Sequence, residues 1–387
     1  MLNHVLKRKL PKRIVIAPDA YKGCLSADAV ACAMQEGVRR VLPDVELPIL
    51  PMADGGEGSL DILLSAIGGE RHLLELPGAD GSRLRAAWGL TSGQNGEAQA
   101  VIEVAQIVGL ASAGDTPVGR RSSEGVGMLL RHCLDQGIRH FLICLGGSCT
   151  NDGGAGLLSA LGLRMLNAAG LEISPDLDGL GDLAGVEADS LDHRLASCRI
   201  DLLSDVSNPL CGSQGATAAY GPQKGVPIDR VPEYDARLRH FASLCEESFG
   251  IASADRPGAG AAGGLGFALQ LLGGNYHAGA SMMADVLGLD VALKRADLVL
   301  TGEGGSDAQT LYGKVAYEVA LRAARFGVPA ALISGCIAMN EDDRWCIFDQ
   351  ALAATPKFMP LDEAMRHAPA LIADAADRAA KIWVGGE

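Results

Sequence analysis

One pattern recurs along this chain and limits what it can fold into: an apolar run, a loop of glycines and carboxylates, then a helical segment. The fullest case is Phe141-Leu142-Ile143-Cys144-Leu145, then Gly146-Gly147-Ser148-Cys149-Thr150-Asn151-Asp152-Gly153-Gly154-Ala155-Gly156, then the helical stretch 157–161. Three further runs end alike. Residues 13–18 lead into Asp19-Ala20-Tyr21-Lys22-Gly23-Cys24-Leu25-Ser26, 45–50 into Met52-Ala53-Asp54-Gly55-Gly56-Glu57-Gly58, and 296–300 into Thr301-Gly302-Glu303-Gly304-Gly305-Ser306-Asp307. Strands that alternate with helices demand a parallel sheet, and ligands bind beyond the carboxyl ends of such strands. A glycine-rich turn between strand and helix brings backbone N–H groups close to an anion. Four such loops are expected to converge on one cleft. Their glycines and carboxylates suggest phosphate chemistry.

At 387 residues the chain exceeds the roughly 250–300 that one core supports, so two domains are expected. Ser26 is a good N-cap, and Ala27, Val30, Ala31, Met34, Val38 and Val41 follow helical spacing up to Pro43. Leu60, Leu63, Leu64 and Ile67 repeat that spacing before Gly68-Gly69, so residues 14–67 read as a βαβα unit. From about residue 70 the texture changes. Residues 84–90 and 98–103 flank a turn with Asn95-Gly96, a hairpin pattern. The βαβα texture returns near residue 290, with strands at 296–300 and 330–334 and helices at 315–326 and 361–382. The expected fold is α/β with two domains. A doubly wound parallel-sheet domain (12–69 plus 290–387) carries an inserted mixed α/β domain (70–289), with the active site in the cleft between them.

Charge excludes some partners. The net charge of −14 argues against nucleic acid or an anionic membrane, and no run of apolar residues is long enough to span a bilayer. An anion site must then be local, built from backbone N–H groups, a few lysines and a divalent cation. Ten cysteines without a CxxC pair read as reduced thiols in the cytoplasm. The basic stretch 1–13 lacks the apolar segment of a secretory signal and reads as a ragged extension.

Each chemical candidate has a plain structural alternative. Lys22 precedes the helix capped by Ser26, where the helix dipole opposes a cation, which favours a binding role. Asp54 and Glu57 flank Gly55-Gly56 and suit either Mg²⁺ or an Asx turn. Asp205 and Asn208 follow the apolar run 200–203, and Lys224 lies in the turn Gly221-Pro222-Gln223-Lys224-Gly225, which reads about equally as a surface turn. A literal GxGxxG at 258–263, with Asp285 downstream, invites a nicotinamide-dependent dehydrogenase reading. Arg256-Pro257 stand before it where a strand is needed, so a tight loop packed on a neighbour is the better reading. Walker A, protein-kinase and GxSxG signatures are absent.

Taken together, several segments resemble the type I glycerate kinase family. They are 18–23, 52–58, 146–156, Asp205-Val206-Ser207-Asn208-Pro209-Leu210, Tyr220 with 221–225, 258–266 and Thr301-Gly302-Glu303-Gly304, in family order. The resemblance implies two α/β domains and phosphorylation of D-glycerate by ATP and Mg²⁺, giving 2-phosphoglycerate. It implies glycerate and ATP as partners of a monomer or small homo-oligomer. Asp54, Asp205 and Lys22 become the catalytic candidates, and Asp54, Asp152 and Asp205 the metal ligands. Gly146, Gly147, Ser148, Thr150, Asn151, Gly153 and Gly154 become the nucleotide-phosphate cradle. Asp19, Ser26, Glu57, Asn208, Lys224, Glu303, Asp307, Gln309 and Lys314 become the substrate-binding set. Four positions depart from the family pattern: Gly305 replaces an arginine, Ala316 a proline, Glu318 a glycine and Glu124 an aromatic residue. An arginine lost near phosphate removes charge stabilisation, so an impaired ligand-binding relative, or a kinase of another small hydroxy acid, are the alternatives.

Overall fold

The computed structural model describes residues 10–93, 96–110, 113–338 and 343–385. Most of the N-terminal extension and Asn95 of the expected turn lie outside them. The chain divides into two compact units, 1–54 with 280–387, and 55–279.

The first unit holds a four-stranded parallel sheet in the order Ile14–Ile16, Leu298–Thr301, Ala330–Ser334, Gln350–Ala353. Val15 pairs with Val299, Leu300 with Ala331, and Ile333 with Leu352. Ile14, Ile16, Leu300 and Ile333 are buried, as an apolar run in a parallel sheet requires. The helix Ala27–Val41 starts at Ser26, whose hydroxyl accepts from the Ala29 amide at 3.3 Å. It lies against Ala368–Val384 so closely that a Cβ on Gly37 would stand 2.0 Å from the Ala373 carbonyl oxygen. Helix Val315–Arg325 covers Leu298–Thr301 and Ala330–Ser334.

The stretch 45–50 pairs with the first strand only through the bridges Arg13–Glu46 and Ile16–Ile49. Pro48 and Pro51 lack the N–H groups that a continuous ladder would use. The expected βαβα unit over 14–67 is therefore incomplete. Its second helix, Ser59–Ile67, belongs to the other unit and packs on the strands Arg83–Ser92 and Ala98–Glu103. The divisions thus fall after Asp54 and before Ala280, not at 69/70 and 289/290.

The second unit holds a six-stranded mixed sheet: Glu70–Pro77, Arg83–Ser92, Ala98–Glu103, His140–Cys144, Arg199–Leu203, Asn275–His277. The first three strands are antiparallel, which includes the expected hairpin, and the rest run parallel. Its core gathers Trp88, Ile102, Phe141, Phe241 and Phe267, all buried. No helix among the described residues is long and apolar enough to cross a membrane, and all ten cysteines are free thiols.

Candidate active site

In the first unit, three chain segments bring polar groups together. Asp19 is 7% exposed just beyond the strand Ile14–Ile16, and its Oδ1 accepts from the Ala20 amide at 2.7 Å. Burial and the neighbouring Asp54 push its pKa up to about 8, against the opposing pull of Lys22. Lys22 Nζ donates to Asp54 Oδ2 at 2.7 Å. The helix dipole that disfavours this lysine is thus met by a carboxylate. Glu303, beyond Leu298–Thr301, is buried and accepts from Thr310 Oγ1 at 2.5 Å and Ser306 Oγ at 3.0 Å. Lys314 Nζ lies 3.6 Å from its Oε2. Asp307 caps the short turn Ala308–Tyr312, accepting from the Gln309 amide, and Gln309 is exposed. Burying carboxylates this close together costs free energy unless a cation joins them.

In the second unit, the 146–156 loop follows the strand His140–Cys144, as its composition predicts. Most of its glycines serve packing. A Cβ on Gly146 would stand 2.3 Å from Gly56 Cα, and one on Gly154 2.4 Å from Ala268 Cβ. Gly147, at φ +74°, has room only against Ala105. The amides of Gly146, Gly153 and Gly154 donate to Gly55 O, Gly263 O and Asp152 Oδ1, so these three hold the loop itself. Gly263 fits only without a side chain, because a Cβ there would stand 2.0 Å from Thr150 O. The GxGxxG stretch is thus a brace under this loop, which explains the motif without a nucleotide.

Asp152 is fully enclosed. Its Oδ2 accepts from Ser123 N at 2.8 Å, Ser123 Oγ at 2.7 Å and Gly156 N at 3.2 Å, and its Oδ1 from Gly154 N at 3.1 Å. Burial raises its pKa against those bonds. These contacts tie Asp152 into the architecture of the loop. Lys224 is 5% exposed, not part of a surface turn. Its Nζ donates to Thr150 O at 2.8 Å and Ser148 Oγ at 3.0 Å, and burial pulls its pKa down to about 8. Asn151 Nδ2 donates to Thr217 Oγ1 at 2.9 Å. Among the described residues, Asn151 Oδ1 and Thr150 Oγ1 are buried without a hydrogen-bond partner. Such orphaned atoms are rare in native proteins and mark a place for water, ion or ligand.

Asp205 is half-buried beyond Arg199–Leu203 and lies near enough to Tyr276 to help burial raise that phenol to about 12. Asn208 is committed to its own loop, through Gln214 O at 2.7 Å and the Tyr220 hydroxyl at 2.8 Å. Glu57 is exposed. Two residues outside the sequence-derived set matter here. Glu103 is fully buried and accepts from the Leu60 amide at 2.9 Å, holding the start of Ser59–Ile67. Arg121 ties three carbonyls together, those of Thr116, Lys224 and Cys149. A glutamate ending an apolar strand was the available signal for the first; the second had none.

The departures from the family pattern have local explanations. Glu318 pairs at 2.8 Å with Arg322, a 4% exposed arginine that also meets Asp285 and Asp290. Ala316 is in the first turn of Val315–Arg325, where alanine serves as well as proline. Glu124 is exposed in the first turn of Glu124–Asp135, where a carboxylate complements the dipole. Gly305 is exposed, in a strand pair with Cys336.

Comparison with known proteins agrees over nearly the full length. The profile of the Glycerate kinase family matches residues 14–384. A protein named glycerate kinase in Halalkalibacterium halodurans is 38% identical over 95% of this chain and 97% of its own. One named glycerate 2-kinase in Escherichia coli is 37% identical over 92% and 94%. A crystal structure assigned to a glycerate kinase 2 of Salmonella typhimurium LT2 superposes with a TM-score of 0.78 at 38% identity, covering 96% of this chain and 97% of that one. The chain belongs to the glycerate kinase family.

Proposed function

We propose that this protein transfers the γ-phosphoryl group of ATP to a hydroxyl of D-glycerate, giving 2-phosphoglycerate and ADP in the cytoplasm. The observation that carries the reading is the group of Asp19, Asp54 and Lys22 beyond the sheet of the first unit. Phosphoryl transfer needs positioning and charge neutralisation more than covalent chemistry.

Among the described residues no three His, Cys, Asp or Glu side chains gather as a metal cage. Mg²⁺ needs no such cage, since it is usually held by one or two carboxylates together with water and substrate phosphates. Asp54, with Asp19 beside it, fits that role, because burial and mutual repulsion already favour a shared cation there. Mg-ATP supplies the phosphoryl group and part of the neutralising charge. Asp205 is the carboxylate proposed to take the proton of the acceptor hydroxyl. Lys22 and Lys314 supply positive charge to carboxylate and phosphate oxygens. Ser148 and Thr150, held by Lys224, and Asn151, held by Thr217, form the polar lining of the 146–156 loop.

The test is ADP release from ATP and Mg²⁺ with D-glycerate, L-glycerate and tartrate, with the product identified by NMR. Asp54→Asn and Asp205→Asn are each expected to lower kcat by about a hundredfold or more. Near-normal kcat in both would overturn these roles. Gly305 motivates a second reading, a binding protein that glycerate or ATP stabilises without turnover.

A further inference from the structure

The first unit contains a cavity of about 440 Å³ that the polar cluster does not account for. Its walls are mostly aliphatic and sulfur-bearing: Cys24, Met359, Leu361, Met365, Leu371 and Ile372. Gly304 and Gly335, beyond two neighbouring strands, contribute bare backbone, and Thr355 a hydroxyl. Lys22, the partner of Asp54, lines it as well. One wall of the cavity is thus a side chain of the charged group. The volume falls in the range of about 300–1,000 Å³ typical of small-ligand sites, which combine apolar walls with a few polar groups.

The rim is unusual in two ways. Phe358, Leu361 and Met365 are 93%, 76% and 37% exposed within eight positions of one another. Leu361 and Met365, exposed apolar side chains at a cavity, mark a binding surface. Phe358, next to the wall residue Met359, also has φ 76°, a left-handed conformation that a bulky side chain adopts only under constraint. Flexible methionines and branched aliphatic side chains suit the faces of a flat ligand, and backbone at two glycines suits its polar edge.

We propose that this cavity takes the heteroaromatic base of the phosphoryl donor, with Lys22 marking the end towards the phosphates. The proposal rests on the kinase reading. A planar base joined to a polyanion matches a site that is apolar at one end and cationic at the other. Glycerate, small and polar throughout, gains nothing from such walls.

Two cysteines of the chain serve as reporters. Cys24 and Cys336 line the cavity, while Cys32, exposed on the helix Ala27–Val41, does not. Labelling of unmodified protein by N-ethylmaleimide is followed by peptide mass spectrometry. Adenosine at about ten times its Kd is expected to slow reaction at Cys24 and Cys336 about tenfold, since only the ligand-free fraction reacts. Cys32 is expected to keep its rate, and tripolyphosphate alone to protect neither wall cysteine. In parallel, Leu361→Ala is expected to raise KM for ATP about tenfold and leave KM for glycerate unchanged. Turnover of ATP with no protection by adenosine or ATP overturns the proposal and leaves the kinase reading intact. Protection by glycerate alone also overturns it. Protection by adenosine without any turnover supports the base site and defeats the kinase reading.

Discussion

Replacing Asp152 with asparagine tests whether this carboxylate holds a metal ion or the loop around it. The amide keeps the shape of the side chain but carries one acceptor. In its better orientation the amide oxygen takes the place of Oδ2 and keeps the bonds from Ser123 N, Ser123 Oγ and Gly156 N. The NH₂ group then faces the Gly154 N–H, a donor against a donor. A lost bond to a charged acceptor costs about 1.5–3 kcal/mol, and the stranded amide about 1–3 kcal/mol more. Removing a buried charge offsets part of this, because burial already disfavours the ionised form. We expect a net loss of about 2–4 kcal/mol. The assay is urea unfolding in EDTA, read by hydrogen exchange in peptides from 122–135 and 150–160. Two-state unfolding is a property of small single domains and this chain has two compact units, so the readout must be local. Unchanged protection in EDTA, together with a raised Mg²⁺ requirement for activity, would refute the brace and restore Asp152 as a metal ligand.

Three further predictions concern other positions. Asp19 binds its proton far more tightly folded than unfolded, so its contribution to stability is present near pH 4 and lost as pH rises from 3.8 towards about 8. Asp19→Asn should therefore melt increasingly above wild type over that window in EDTA, and parallel melting curves would contradict the raised pKa. Gly263→Ala combines φ +69° with a Cβ 2.0 Å from Thr150 O, so it should cost about 3 kcal/mol or more. The control Gly250→Ala, at φ +67° with open space, should cost only about 1–2 kcal/mol, and equal losses in urea melts would show that the loops are free to part. A Cβ on Gly305 would meet only Cys336 Sγ, at 3.3 Å, at an exposed position, so Gly305→Arg should shift melting by less than about 1 kcal/mol while kcat rises. An unchanged kcat would show that the chain does its chemistry without that arginine.

Local order was legible in the residues themselves. The runs 141–145, 298–300 and 330–333 are uniformly apolar, and only a sheet covered on both faces buries every residue of such a run. Ser26 was readable as a cap because its hydroxyl acts on the amide three residues away. Glycine and carboxylate at the strand ends likewise marked the loops in which polar side chains gather. What the residues could not decide was partnership at a distance. Helix Ser59–Ile67 has the spacing of a helix wherever it packs, and its place in the second unit follows from Leu60 meeting Glu103. Asp152 and Asp54 look alike in sequence, each an aspartate next to paired glycines. One is surrounded by four donors and acts as a brace; the other meets Lys22 and lies close enough to Asp19 to perturb it. Whether a lysine such as Lys224 is a surface charge or a buried clamp is likewise set by what covers it. Backbone conformation and capping act within a few residues, so a sequence states them directly. Burial and charge environment are sums over neighbours hundreds of positions away, and only the tertiary structure performs that sum.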